Sequence, residues 1–209
     1  FSGNPYDVGT DRTYSMDSLP QELSCYGNGD FRSASLMLEN GDGSMSCDMR
    51  YKNYTIRDGK YSLPGLPAVY ADNEEAQTLE IVLEDPATGV EAMLLYGVLP
   101  ELDIITRSVY IRNQSSEKIY VNKVMSAELD FLYGDYDLLT FYGRHAMERN
   151  LQRVPVAHGS QMIGSVRGTS SHQYNPMMIL AEKDTTEDHG GSYAKSFVNS
   201  RNFQGEVLK

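Results

Sequence analysis

Apolar and polar residues alternate with period two along most of this chain, and clusters of Gly, Pro, Asn and Asp break the alternation at short intervals. Such alternation places successive side chains on opposite faces of a pleated strand. The clearest case is 103–112, where Ile105, Arg107, Val109 and Ile111 share one face and Ile104, Thr106, Ser108 and Tyr110 the other. The same pattern predicts strands over 33–39, 44–57, 78–84, 90–98, 118–131, 135–142, 192–199 and 203–209, and a strand with a loop over 1–20. Asn40-Gly41-Asp42-Gly43 reads as a type I′ hairpin turn, sending the chain back through a strand in which Met45, Cys47, Met49 and Tyr51 alternate with polar residues. Asp58-Gly59, 85–89 and 113–117 are further turns, Pro64, Gly65 and Pro67 mark 61–75 as a surface loop, and Pro100 ends a strand. The acidic stretch 74–84 is the one weak helix candidate, and no βαβ alternation occurs. The signature is all-β: a large antiparallel β-sandwich forming one domain over residues 1–209.

Composition narrows the function classes. The chain carries 18 Lys and Arg against 29 Asp and Glu, a net charge of −11. Nucleic-acid binding needs a basic surface, and docking on anionic lipid needs the same, so neither partner fits. No apolar run is long enough for a membrane helix, and no secretory signal is visible. The first residue is Phe1 rather than Met, which fits a missing N-terminal piece. Cys25 and Cys47 read as free thiols of a reducing cytoplasm, although one disulfide between them is geometrically conceivable. Fifteen Tyr, six Phe and no Trp suit strands, and surfaces that meet polar partners.

Candidate chemistry gathers at Tyr26-Gly-Asn-Gly-Asp-Phe-Arg32. Gly27 and Gly29 permit a sharp turn that presents Asp30, Phe31 and Arg32 together, a carboxylate, an apolar ring and a fork of donors suited to a hydroxyl-rich ligand. A strand rather than a helix follows, so the turn is no phosphate cradle. The histidines His145, His158, His172 and His189 lack metal-ligand spacing, and no metal or cofactor is expected. His172 reads as a buried structural histidine bonding strand ends. Ser171 and His172 are adjacent and cannot share a proton across a strand. The acidic cluster 72–75 reads as a solvated loop tip.

Four ordered blocks carry a family likeness: Gly27-Asn-Gly-Asp-Phe-Arg32, Phe141-Tyr-Gly-Arg-His-Ala-Met-Glu-Arg149, Arg167-Gly-Thr-Ser-Ser-His-Gln-Tyr-Asn-Pro176, and Thr186-Glu-Asp-His-Gly190 ahead of Tyr193. On these the whole chain resembles the N-terminal domain of glycoside hydrolase family 36, the α-galactosidases. The resemblance implies a β-supersandwich ahead of a catalytic (β/α)₈ barrel and a C-terminal β-domain, both absent from this chain. It implies a parent that hydrolyses terminal α-galactosyl residues of melibiose and raffinose type with retention, and catalytic aspartates in the barrel, so that this chain alone is inactive. It implies assembly with the parent's own barrel and with neighbouring subunits, as a homo-oligomer of tetrameric type. Of the site residues, the resemblance assigns Asp30 to a neighbour's substrate pocket. It also places His145 where the family carries a Trp, an imidazole in place of a stacking indole. Alternatives remain at each position: Asp30 contacts substrate or caps its turn, Arg32 orients Asp30 or pairs with an acid across the sandwich, and His145 contacts ligand or is a plain surface histidine. An independent carbohydrate-binding or structural module is the alternative for the chain as a whole.

Overall fold

The computed structural model describes residues 19–27, 29–198 and 201–209. The strand and loop expected over 1–20 fall almost wholly outside them. Among the described residues the chain forms twelve strands: β1 (Leu36–Glu39), β2 (Arg50–Asp58), β3 (Gln77–Glu84), β4 (Val90–Leu99), β5 (Ile104–Asn113), β6 (Tyr120–Val124), β7 (Tyr136–Arg144), β8 (Met147–Pro155), β9 (Ser160–Ser165), β10 (Tyr174–Glu182), β11 (Ser192–Ser196) and β12 (Phe203–Leu208). The only helical element among those residues is a 3-10 turn at Pro100–Leu102, closed by Asp103 in the left-handed region. Among the described residues every pairing between these strands is antiparallel, and one isolated bridge, Cys25↔Leu36, is parallel. No helix among these residues is long and apolar enough to cross a membrane.

Two compact units make up the chain. The first comprises Phe1–Tyr61 and Tyr70–Leu132 and holds a four-stranded sheet, β2-β3-β4-β5, and the pair β1-β6. Its core follows from the alternation: Leu36 and Leu38 of β1 meet Ile81 and Leu83 of β3 and Ala92 and Leu94 of β4. Leu36 is fully buried and Leu38, Leu83 and Leu94 nearly so. Each contributes about 1.5–3 kcal/mol by leaving water. The second unit comprises Ser62–Val69 and Tyr133–Lys209, with the sheet β11-β10-β7-β8 and the pair β12-β9. Its core gathers Leu138, Ile163, Met178 and Phe203.

The expected hairpin at 40–43 is corrected. The turn forms, with Asn40 N–H donating to Ser44 O at 2.8 Å and Gly43 N–H to Asn40 O at 2.9 Å. Only Gly43 is left-handed (φ 81°), whereas a type I′ turn needs positive φ at both central residues. The chain after it does not pair back onto β1. Residues 44–49 form no ladder; Cys47 N–H donates to Tyr26 O at 3.1 Å instead. The partner of β1 is β6, eighty residues on, by Leu36↔Val124 and Glu39↔Tyr120. Burial alternates at Cys47 and Met49 as expected, but Tyr51 lies on β2, which is exposed along its whole length. The weak helix candidate at 74–84 is the end of a turn followed by strand β3. The helix reading also fails because Leu79, Ile81 and Leu83 recur at period two.

Candidate functional site

The turn at 26–32 takes its shape from its glycines. Gly27 has φ 92°, and a Cβ there would lie 2.8 Å from the backbone of Ser46. Gly29 has φ 85° with open space around it. Asn28 lies outside the described residues. The turn ends in a local lock: Oδ1 of Asp30 accepts from the backbone N–H of Arg32 at 3.1 Å and from its Nε at 2.9 Å. Side chains of the Asp type favour this bond to the backbone two residues on.

The rest of the guanidinium reaches beyond the turn. Nη1 donates to Asp130 Oδ2 and lies 3.7 Å from Glu128 Oε1, and Nη2 donates to Leu19 O at 2.6 Å. The two acids also hold the strap that precedes the turn. Gln21 N–H donates to Asp130 Oδ2 at 2.9 Å and Ser24 N–H to Glu128 Oε2 at 2.6 Å. Burial works against the charge of Arg32, but the Asp30 bond and the nearby Asp130, Asp30 and Glu128 charges outweigh it and raise its pKa. Arg32 thus bonds Asp30 within the turn and pairs with two acids of a distant segment.

Asp30 does not project as the family resemblance implies for a residue that reaches a neighbour's pocket. The residue is only 8% exposed, and the exposed member of the triplet is Phe31, at 82%. The reason is Arg32, which draws the carboxylate inward while the intervening side chain points out. His145 belongs to the second unit, at the tip of the β7–β8 hairpin, and is exposed. That tip is constrained: Ala146 (φ 62°) and Arg149 (φ 58°) are left-handed, and a Cβ on Gly143 would lie 2.3 Å from Met147 O. Glu148 Oε1 accepts from Ala146 N–H at 3.0 Å and steadies it. The structure thus joins Asp30 to Arg32 and places His145 on a different element of a different unit. His172, expected to be buried, is exposed, because it occupies a tight turn between Ser171 and Tyr174 rather than a strand end in a core.

Glu128 and Asp130 were not foreseen. Their signal is a pair of acids two apart in Ser126-Ala-Glu-Leu-Asp-Phe131, where the alternation reads as strand but β6 has already ended. A hollow of about 890 Å³ lies elsewhere in the first unit, lined in part by Gly27, Asn40, Ser46, Asp85 and Glu117, and Asp30 does not line it. Cys25 and Cys47 are unbridged and buried. The neighbouring Cys25, then burial, pushes the Cys47 thiol up, away from the reactive thiolate form. Among the described residues no group of three or more His, Cys, Asp or Glu is placed to hold a metal.

The comparisons with known proteins concern the whole chain. The profile of the glycosyl hydrolase family 36 N-terminal domain matches residues 2–209. The chain is 57% identical over 209 residues to the bifunctional α-galactosidase/sucrose kinase AgaSK of Mediterraneibacter gnavus, all of this chain and 22% of that protein. It is 41% identical over 208 residues to α-galactosidase Mel36A of Lactobacillus acidophilus, 99% of this chain and 28% of that protein. The solved galactosidase domain of AgaSK superposes with a TM-score of 0.94, covering 100% of this chain and 29% of that one. A substituted form of the Geobacillus stearothermophilus α-galactosidase AgaA in complex with raffinose superposes at 0.93 with 41% identity, again over 100% of this chain and 29% of that one. The chain thus spans between a fifth and a third of the length of these relatives. The all-β, antiparallel sandwich expected from the pattern agrees with these likenesses, and the chain belongs to the glycosyl hydrolase family 36 N-terminal domain family.

Proposed function

We propose that this chain is the non-catalytic N-terminal domain of a retaining α-galactosidase that hydrolyses terminal α-D-galactosyl residues of melibiose and raffinose type oligosaccharides. The observation that carries this reading is 57% identity along the whole chain to part of an enzyme named for that activity. Related structures hold raffinose and stachyose, which supports galactosides as the substrate class. In this reading residues 1–209 form a single functional domain, and the catalytic carboxylates lie on a separate barrel. Retention needs two carboxyl groups about 5–5.5 Å apart, one as nucleophile and one as acid. The domain supports a homo-oligomer, tetrameric by family resemblance, and overhangs a neighbouring subunit's pocket. Asp30, with Arg32 behind it, and His145 are the residues by which it reaches substrate. A hydroxyl-rich ligand suits an acceptor such as the Asp30 carboxylate, and an imidazole on an exposed hairpin tip offers a donor or an acceptor to a second sugar.

The test compares this 209-residue chain with the longer protein encoded by its reading frame. Melibiose and raffinose are hydrolysed by the longer protein and not by this chain, and galactose titrated into this chain alone binds weakly. A reading frame that stops at Lys209, or tight galactose binding by the isolated chain, supports an independent carbohydrate-binding module instead.

A further inference from the structure

We propose that Arg32 makes no contact with the ligand and is a positioning residue. It aims the second carboxylate oxygen of Asp30, Oδ2, at a neutral hydroxyl of the galactoside, and Asp130 and Glu128 are its counter-anchors. The inference rests on the reading above that Asp30 faces the substrate.

The guanidinium is spent. Nε serves Asp30, Nη1 serves Asp130, and Nη2 serves the carbonyl of Leu19. Its side chain is 12% exposed, which leaves no planar face for a sugar ring. Oδ1 of Asp30 takes two donors from one residue, the backbone N–H and the Nε of Arg32. Two bonds to one oxygen from a rigid frame fix the plane of the carboxylate, and with it the direction of Oδ2. Among the described residues nothing donates to Oδ2. The turn therefore leaves one oriented acceptor without a donor among the described residues.

Charge selects what that acceptor takes. Three carboxylates surround one guanidinium, which repels an anionic ligand. The backbone N–H groups of Gln21 and Ser24 take up charge on Asp130 and Glu128, so the cluster has no call for a further cation. A neutral hydroxyl donor fits both conditions. Lysine in place of Arg32 keeps the charge but is a point donor without the fork, and it holds Asp30, Asp130 and Leu19 O together far less well.

The experiment is a double-mutant cycle on raffinose hydrolysis by the longer protein that carries this chain, with Asp30→Ala, Arg32→Lys and the double variant, each checked by thermal midpoint. Arg32→Lys raises KM on the order of tenfold while kcat stays within about twofold, and in the Asp30→Ala background it adds nothing. Asp130→Asn, which preserves size, moves KM in the same direction and serves as the second variant if Arg32→Lys loses stability. Additive effects of Asp30→Ala and Arg32→Lys mean that Arg32 touches substrate itself, and overturn the proposal. KM unchanged in Arg32→Lys and Asp130→Asn but raised in Asp30→Ala overturns the positioning role alone. KM unchanged in Asp30→Ala overturns the reading of the site and this inference with it.

Discussion

Arg32 and Asp130 stand 98 positions apart in sequence, and the guanidinium of the first donates directly to the carboxylate of the second. That carboxylate oxygen also accepts from the backbone N–H of Gln21. One acid therefore ties the glycine-rich turn to the strap that precedes it, and Glu128 repeats the device at Ser24. The strap meets β1 by backbone only at Ser24 and Cys25, and the two acids add side-chain ties to it.

Removal of those acids is expected to loosen the first unit. Asp130→Ala and Glu128→Ala each leave backbone and guanidinium donors unanswered and cost about 1–3 kcal/mol in urea unfolding. Glu128, the more buried of the two, has the larger effect. A loss below about half a kcal/mol for both is what a solvent-screened surface pair gives, and contradicts the role.

The two glycines of the turn are expected to differ. Both hold positive φ, but only at Gly27 does a Cβ meet backbone, at 2.8 Å from Ser46. Gly29→Ala costs on the order of 1 kcal/mol from backbone strain alone, and Gly27→Ala costs more than that. Equal midpoints for the two variants contradict the close approach.

In the second unit, strong acid is expected to weaken the tie at Asp137. Lys183 and Arg153 hydrogen-bond Asp137 and hold its carboxyl below the usual carboxylate range. A carboxyl depressed in the folded state stabilises fully above its unfolded pKa, and that stabilisation fades as pH falls through the folded value. The thermal midpoint of the wild type therefore falls towards that of Asp137→Asn as pH drops below about 4. A gap between the two that does not change with pH contradicts the tie.

Much of the fold was legible because its code is local. Strands β3, β4 and β5 follow from period-two runs bounded by Asp-Gly, Pro and Asn turns, and their mutual pairing follows from short connections. The pairing of β1 with β6 was not legible, since the turn after β1 looks like a hairpin and only the structure shows the chain leaving it. Strand β8 was missed because it is exposed on both faces for most of its length, so no alternation marks it. Strand β10 was missed because its Met177-Met-Ile-Leu180 run is continuous rather than alternating. At the site, Asp30 and Arg32 are two apart and their bond is a local motif. Glu128 and Asp130 are partners only through the tertiary fold, and no spacing rule reaches them.

The hairpin tip offers a separate test. His145→Trp replaces a hydrogen-bonding imidazole with a stacking surface, and the ratio of melibiose to raffinose hydrolysis by the longer protein is expected to shift. An unchanged rate on both sugars makes His145 a plain surface residue.

The central claim is that this domain reaches the substrate through Asp30. Its most direct test is the KM for raffinose of the longer protein carrying Asp30→Ala. The account predicts a rise on the order of tenfold in a protein that remains folded at the assay temperature. A KM equal to that of the wild type, in a protein shown to be folded, contradicts it.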